Sequence, residues 1–438
     1  MKMRKLTIIG GGSAYAPGLI RALLGAQSRL MLSEVCLHDV DLAHLEIVAA
    51  LARKMASIAA DGFDVSAESR VEEAVRNADV VLNSARPGGF ACRRIDETLP
   101  LAHEIPGQET VGPGGFFFAM RSVPHALALA ALIERYAPQA LLLNYTNPTN
   151  IVTQAIADFR EVRVIGLCDQ SDEDIATLAL AHGVSPQSIT FRCVGLNHAT
   201  WYSELTVDGR PVVPERTPDL PVASFDDEHA LRFDIARDMA RQYPGFWPNS
   251  YLPYYHAPGE FVALSTRIGP RSDAIVETLD RYYEHFLEES RKDRPELVFY
   301  RGGSGFGDLA VRLMTALQSP VPTRLVLNVP NRGACPWLRD DSVIELPVDV
   351  DEHGLHRLAT PEIPEPEHSL IEQLECYQRE AADAVAAGTR RAQIAALSAN
   401  PLVPSAAAAE ALFEAAQSHY GGWWSAHRAD GRSSGGAR

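Results

Sequence analysis

The sequence predicts an α/β fold, a Rossmann-type doubly wound parallel sheet with a C-terminal α+β unit attached. Three observations predict it. The chain opens on a β-branched run that meets a glycine turn and then a helical pattern. A carboxylate, Asp39, closes the second strand-like run, where a nucleotide ribose would lie. Three more short apolar runs follow, each closed by polar side chains and separated by helical patterns.

The first run, Lys5-Leu-Thr-Ile-Ile, leads into Gly10-Gly11-Gly12-Ser13, after which Leu19, Ile20, Leu23 and Leu24 recur at helical spacing. The glycines let the backbone approach a pyrophosphate, and the helix N-terminus offers free N–H donors and a positive partial charge. The match to G-x-G-x-x-G is incomplete, because Tyr15 stands where the third glycine would be. The second run, residues 34–38, ends in Asp39. A carboxylate there accepts ribose hydroxyls and repels a 2′-phosphate, which favours NAD over NADP. Asp39 can also be read as a turn residue beside Asp41.

Residues 79–84, 140–144 and 162–166 read as strands apolar on both faces, with helices including residues 125–136 and 151–159 between them. Doubly wound sheets bind ligands beyond the carboxyl ends of their strands. Those ends carry Arg86, Asn147 and the pair Cys168-Asp169. From about residue 190 the texture changes. Strands at 189–194 and 200–207 flank Gly195-Leu-Asn-His198, and Asp208-Gly209 reads as a hairpin turn. Residues 211–227 read as a lid-like excursion and 272–291 as a helix with a charged outer face. Strands at 324–329 and 342–347 suggest a second sheet, and Ala-rich helices occupy about 368–418. The expected division is 1–190 for cofactor, 191–425 for substrate, metal and assembly, and 426–438 as a disordered tail without an apolar face.

A chain of 438 residues is long for one core, so two or more packed units are expected. A formal charge of −16 argues against a nucleic-acid partner, which needs a basic face. The N-terminal apolar run spans only about four residues before Gly10, short of the ~7–15 of a signal sequence. No window approaches the ~18 apolar residues of a membrane span. The six cysteines form neither a CxxC pair nor a small-domain framework, so a reduced cytoplasmic protein is expected.

Read as residues alone, Cys168 and His198 are either metal ligands or a small buried hydrophobe and a satisfied core histidine. Tyr251, Tyr254 and Tyr255 are either packing or chemistry. A tyrosine serves as a base only where a cation brings its pKa down from ~10. Asp169 directly follows Cys168, so in an extended strand end the two side chains point to opposite sides. Arg93 and Arg94 either bind an anion or are solvated.

Several segments carry a resemblance to one family: Gly10-Gly-Gly-Ser13; Arg86-Pro-Gly-Gly-Phe-Ala-Cys-Arg93-Arg-Ile-Asp-Glu97; Gly107-Gln-Glu-Thr-Val-Gly-Pro-Gly-Gly115; Met120-Arg-Ser122; and Asn144-Tyr-Thr-Asn147-Pro148. Further along stand Gly166-Leu-Cys168-Asp169, Gly195-Leu-Asn-His198, Tyr251-Leu-Pro-Tyr-Tyr255, Asn328-Val-Pro-Asn331-Arg-Gly-Ala334 and Asn400-Pro-Leu402. With these the chain resembles glycoside hydrolase family four, whose NAD-dependent members do without two catalytic carboxylates. Lactate and malate dehydrogenases share the expected fold, C-terminal α+β unit included, but not this set of motifs.

The resemblance implies a redox-assisted elimination. NAD⁺ would take a hydride from C3 of the sugar, and Mn²⁺ or another divalent cation on Cys168 and His198 would stabilise the enediolate as a Lewis acid. A thiolate is a soft ligand for Mn²⁺, so substrate hydroxyls and water would complete the shell. Tyr251 would remove the C2 proton, and Asp169 would protonate the departing oxygen. Water then adds and the hydride returns. Gly10, Gly11, Gly12, Ser13 and Asp39 would hold NAD. Arg93 and Asn147 match substrate-binding positions, with Arg267 the first and Arg271 the second choice for a 6-phosphate. Phosphoglucosidases of the family read Cys-Asp-x-Pro or Cys-Asn-x-Pro, and non-phosphorylated members often read Cys-His-Ser. Here Cys168-Asp169-Gln-Ser171 departs from both, so the substrate is either a 6-phospho-glycoside or a non-phosphorylated hexoside or uronide. A homodimer or homotetramer, with neither nucleic acid nor membrane as partner, is expected. The rival readings are an NAD-dependent 2-hydroxy acid or sugar dehydrogenase on this fold, and a nucleotide-binding protein without catalysis.

Overall fold

A computed structural model describes residues 3–220, 226–298 and 307–430. The N-terminal half alternates strand and helix in the order β1 (Lys5–Ile9), α1 (Ala16–Leu30), β2 (Glu34–His38), α2 (Leu42–Ile58), β3 (Asp64–Glu68), α3 (Val71–Val75), β4 (Val80–Asn83), α4 (Gly89–Leu101) and α5 (Gly112–Tyr136). It continues through β5 (Leu141–Asn144), α6 (Thr149–Phe159), β6 (Arg163–Gly166) and α7 (Gln170–His182). Local chemistry sets the boundaries. Pro17 pre-forms the first turn of α1, and the Asp41 side chain caps α2 by accepting from the Ala43 and His44 amides.

The second half contributes the hairpin β7 (Ile189–Leu196) and β8 (Ala199–Val207), with β9 (Arg210–Pro211), α8 (Asp227–Gln242) and β10 (Trp247–Pro248). Next come α9 (Pro253–His256), α10 (Pro258–Ile268), α11 (Arg271–Ser290), α12 (Asp308–Ala316), β11 (Thr323–Pro330), β12 (Val343–Asp351) and β13 (Gly354–Arg357). Helices α13 (His368–Ala387), α14 (Arg390–Ala399) and α15 (Ala406–Asp430) close the chain.

Strands β1 to β6 are parallel and lie in the order β3-β2-β1-β4-β5-β6, the doubly wound arrangement that predicts a ligand crevice where the order reverses. One apolar core lies between the sheet and α1, α2, α11 and α12. A second lies between the sheet and α5, α6 and α13 to α15, and smaller clusters pack α7 and α8 against β7 and β8 and gather Val111, Tyr254 and Phe261.

Four expectations are corrected. The strands near 324–329 and 342–347 form no second sheet. β11 pairs antiparallel with β6 at Asn328 and Gly166, and β12 pairs with β7 at Glu345 and Gly195, so the strands of the described residues join in one 13-stranded sheet. An edge left bare at β6 would expose unpaired N–H and C=O groups, which this pairing covers. The helix expected from residue 125 begins at Gly112. Gly114 and Gly115 sit where no side chain fits, a Cβ on Gly114 coming within 2.3 Å of the Gln108 carbonyl oxygen. That 25-residue helix is also long and apolar enough to cross a membrane, contrary to the window count, but most of it is buried in the core. The tail expected from 426 is helical to Asp430 as the end of α15. Its remainder, 431–438, lies outside the described residues, as does 221–225 of the predicted lid-like stretch.

Candidate active site

A cleft of about 1970 Å³ opens along the carboxyl ends of β1, β4, β5 and β6 and is faced by the start of α7, by Tyr251 and by α11. Gly10, Gly12, Ser13, Asp39, Arg93, Asn147, Cys168, Asp169, His198 and Tyr251 all line it. Gly11 does not. A Cβ there would come within 2.9 Å of Leu37 Cβ, so this glycine serves the packing of turn on strand. Gly10 has φ +86°, a conformation that favours glycine, and a Cβ on it would meet the Ala85 amide at 3.0 Å. Asp39 accepts from the Gly12 amide at 2.9 Å and the Asp41 amide at 3.0 Å, so its carboxylate is fixed at the turn. From the far wall the Tyr283 hydroxyl donates to the Gly12 carbonyl at 2.9 Å.

β6 ends at Gly166, so Cys168 and Asp169 lie in the turn before α7, with Asp169 in a helical conformation. The extended-strand argument therefore fails, and both side chains face the same cleft. His198 sits at the tip of the β7–β8 hairpin with φ +66°. Cys168 Sγ and His198 Nε2, from segments far apart in sequence, are 3.5 Å apart. His198 Nδ1 is 3.1 Å from the Thr110 hydroxyl, which leaves Nε2 to face the sulfur. Burial, reinforced by the Arg232 charge, pushes the His198 pKa down to about 3, so the ring is neutral with a lone pair to offer. Burial pushes the Cys168 thiol well up, and the Glu345 charge adds to this.

Sulfur and nitrogen donors at ~2.3 and ~2.0 Å from one cation, roughly 90–110° apart, stand roughly 3.1–3.6 Å from each other. The observed spacing fits two ligands of a shared ion. No group of three His, Cys, Asp or Glu side chains able to hold a metal occurs among the described residues, so protein ligands fill only part of such a shell.

The Tyr251 ring stacks on His198, and the Arg232 guanidinium lies 4.9 Å from the Tyr251 ring centroid. Burial pushes the Tyr251 pKa up to about 12 against the opposing pull of Arg232 and Arg271. The other two tyrosines serve packing. Tyr254 stacks on Phe261 and donates to Glu228 at 2.7 Å, and Tyr255 packs against the main core. Asp169 accepts from the Tyr145 hydroxyl at 3.3 Å, and burial, with Glu173 and Asp172 nearby, raises its pKa to about 7.

Arg93 is buried and ion-paired with Glu97 at 2.7 Å and Glu109 at 3.0 Å, and Arg86 also pairs with Glu109. Burial would push Glu109 up, yet Arg86 and Arg93 bring it down to about 2. Asn147 Oδ1 accepts from the Thr149 hydroxyl at 3.0 Å. Arg94 is exposed and paired with Asp273. Arg267 is corrected: it pairs with Asp227 at 3.0 Å on the surface, away from the cleft, with its side chain 65% exposed. The chain bends at Gly269-Pro270, and Arg271, the first residue of α11, lines the cleft instead. The residue reading missed Thr110, Arg232, Tyr145 and Glu345. Only Glu345 left a clear trace, a carboxylate set among the apolar residues Val343, Ile344 and Leu346.

Two family models match the chain: Family 4 glycosyl hydrolase over residues 5–178 and Family 4 glycosyl hydrolase C-terminal domain over residues 193–403. A probable 6-phospho-beta-glucosidase of Bacillus subtilis (strain 168) is 28% identical over 423 residues, spanning 94% of this chain and 95% of its own. The 6-phospho-alpha-glucosidase 1 of Lacticaseibacillus paracasei is 28% identical over 436 residues, spanning 94% and 97%. Among solved structures, a 6-phospho-alpha-glucosidase from gut microorganisms in complex with NAD and glucose-6-phosphate has a TM-score of 0.88 at 26% identity, covering 96% of this chain and 99% of its own. The 6-phospho-beta glucosidase from Thermotoga maritima with manganese, NAD⁺ and glucose-6-phosphate has a TM-score of 0.82 at 26% identity, covering 95% and 98%. A Cryptosporidium parvum malate dehydrogenase, with a TM-score of 0.53 at 14% identity and covering 88% and 99%, shares the fold alone, as expected from the sequence.

Proposed function

This chain belongs to family 4 of the glycosyl hydrolases, and we propose that it hydrolyses 6-phosphoglucosides with the help of NAD and a divalent cation. The observation that carries this reading is the 3.5 Å approach of Cys168 Sγ to His198 Nε2, in the same cleft as the glycine turn. Gly10, Gly12, Ser13 and Asp39 would hold NAD, which would supply a reversible hydride acceptor, and Cys168 and His198 would hold Mn²⁺, which would supply Lewis acidity.

The chain's own groups do the rest. Tyr251, placed between His198 and Arg232, takes the proton from C2 of the sugar. Asp169, with its pKa near 7, still holds a proton at neutral pH and gives it to the leaving oxygen. The Tyr145 hydroxyl donates to one Asp169 oxygen and leaves the other to carry that proton. Arg93, pinned by two glutamates, presents a fixed fork to sugar hydroxyls, and the Asn147 amide nitrogen offers a second donor. Arg271 makes no ion pair with any described residue and takes the place of Arg267 as the group that grips the 6-phosphate. The family's phosphoglucosidases named above support the phosphorylated class.

Residues 1–190 hold the cofactor and also bring Arg93, Asn147, Cys168 and Asp169 to the cleft, while 191–425 add His198, Tyr251 and Arg271 and serve assembly. The enzyme works in the cytoplasm as a homodimer or homotetramer, and the six free cysteines support a reducing compartment. A 2-hydroxy acid or sugar dehydrogenase is not favoured, since the likeness to malate dehydrogenase stops at the fold. The test is a panel of nitrophenyl glycosides, with and without 6-phosphate, assayed with NAD⁺, Mn²⁺ and a reductant. The expected result is aglycone release from the phosphorylated compounds without net NADH. Stoichiometric NADH from a free sugar or hydroxy acid would overturn the proposal.

A further inference from the structure

Two antiparallel single-residue joints carry the sheet past β6: Gly166 with Asn328, where the parallel order ends, and Gly195 with Glu345, between β7 and β12. Both glycines stand close before a cleft ligand, Gly166 before Cys168 and Gly195 before His198. The residues opposite them, Asn328 and Glu345, are only 1% exposed. Glu345 is a carboxylate on an interior strand, and it forms no ion pair among the described residues. Four donors saturate it instead. The hydroxyls of Thr200 and Ser171 reach Oε1 at 2.7 and 3.3 Å, and the side-chain amides of Asn197 and Asn328 both reach Oε2 at 3.0 Å.

The origins of those donors matter more than their number. Ser171 belongs to the first turn of α7, three residues after Cys168, and Asn328 holds the strand that pairs with Gly166. Asn197 and Thr200 flank His198 on the two sides of the hairpin tip, and the Thr200 hydroxyl also lies 3.0 Å from the Leu196 carbonyl oxygen. The Asn197 side chain also works against the burial that raises the Cys168 thiol pKa. One buried side chain thus ties together two segments whose own sequences set no distance between them.

We propose that Glu345 is the positioning residue that fixes the separation of Cys168 and His198, and so the bite offered to a divalent cation. The inference rests on the reading of those two residues as metal ligands. It concerns shape and not charge. In Glu345→Gln the oxygen can stay with the two asparagine amides while the new NH₂ faces Ser171 and Thr200, whose hydroxyls can turn to accept. In Glu345→Asp the carboxylate is withdrawn by one methylene and cannot reach all four donors.

The experiment measures Mn²⁺ affinity by electron paramagnetic resonance and NAD⁺ affinity by fluorescence in the full-length protein and its variants. Groups that orient metal ligands typically cost ~10–100-fold in affinity when altered. Glu345→Asp is therefore expected to weaken Mn²⁺ binding by at least about ten-fold, with NAD⁺ affinity within about two-fold of wild type. Glu345→Gln should stay within about three-fold for both. Thr200→Val, which removes one hairpin donor at nearly constant shape, should weaken Mn²⁺ by several-fold and decides the matter if Glu345→Asp does not fold. Wild-type Mn²⁺ affinity in Glu345→Asp or in Thr200→Val overturns the inference. So does an equal loss of both ligands, and so does a Glu345→Gln variant as weak as Glu345→Asp. Cys168→Ser is the control. If the wild type binds no Mn²⁺, or Cys168→Ser binds it unchanged, the metal reading itself fails and this inference with it.

Discussion

The ring of Tyr251 lies flat on the imidazole of His198, centroids 3.9 Å apart and planes 7° from parallel. The group proposed to move a proton and a group proposed to hold a cation therefore share one wall of the cleft. The Tyr251 pKa is pushed up to about 12 by burial against the pull of Arg232 and Arg271, so a further positive charge on the His198 side would be needed to make its hydroxyl a base. Tyr251→Phe keeps the stack and removes the hydroxyl. The expected result is a kcat lower by about 10²–10⁴-fold with Mn²⁺ and NAD⁺ affinities unchanged, measured by single-turnover assay and titration. A kcat within a few-fold of wild type would remove Tyr251 from the chemistry.

Cys168 and His198 make a second prediction. Cys168→Ser and His198→Ala are each expected to abolish Mn²⁺-dependent aglycone release while NAD⁺ still binds, because the glycine turn and Asp39 belong to separate elements. Fluorescence titration of NAD⁺ beside the glycosidase assay reads both. Unchanged turnover in either variant would remove the metal assignment.

Asp169 sets the pH dependence. Burial first, then the neighbouring charges of Glu173 and Asp172, raise its pKa to about 7. A general acid works in its protonated form, so kcat/KM is expected to fall as pH rises through about 7. Glu173→Gln removes a repelling negative charge, which makes ionisation of Asp169 easier and moves that alkaline limb to lower pH. A limb that stays put, or moves upward, would dissociate it from Asp169.

The two arginines on either side of the Gly269-Pro270 bend separate cleanly. Arg271→Ala should raise KM for a 6-phosphorylated substrate by about 10–100-fold, the ~1.5–3 kcal/mol of a charge-assisted hydrogen bond. It should leave any non-phosphorylated glycoside little changed. Arg267→Ala removes an exposed surface pair and should alter neither constant. Equal effects from the two would undo the choice of Arg271.

The parts of this protein legible in its sequence are those encoded locally. The glycine turn, Asp39 and the apolar parallel strands announce themselves within a few residues each. The antiparallel joint at Asn328 and Gly166 is a contact between strands far apart in sequence, and no local pattern marks it. Helix α5 hid behind Gly112-Pro-Gly-Gly, a poor helix start in isolation that here permits close backbone packing. Cys168 and His198 could be named from a family pattern, but residues alone left them between ligand and core. Their spacing comes from strand pairing and side-chain bonds that only the fold reveals. Arg267 and Arg271 lie one helical turn apart in sequence, and the bend between them decides which faces the cleft.

The last prediction concerns acid stability. Glu109 is buried, and Arg86 and Arg93 hold its pKa near 2, below the 4.5 of a free glutamate. A depressed carboxylate contributes stability that is fully present above the unfolded-state value and is lost as pH falls through the folded-state one. At ~1.4 kcal/mol per pKa unit, the contribution at neutral pH is on the order of 3 kcal/mol, and most of it disappears between pH ~4.5 and ~2. In Glu109→Gln this carboxylate no longer titrates, while two arginines lose a partner, one of them buried. That variant should melt lower than wild type at pH 7, and the gap should narrow as pH falls toward 3. Thermal denaturation followed by circular dichroism across that range measures it. A gap that widens on acidification, or that does not depend on pH, would mean that the arginines leave the Glu109 carboxylate unperturbed.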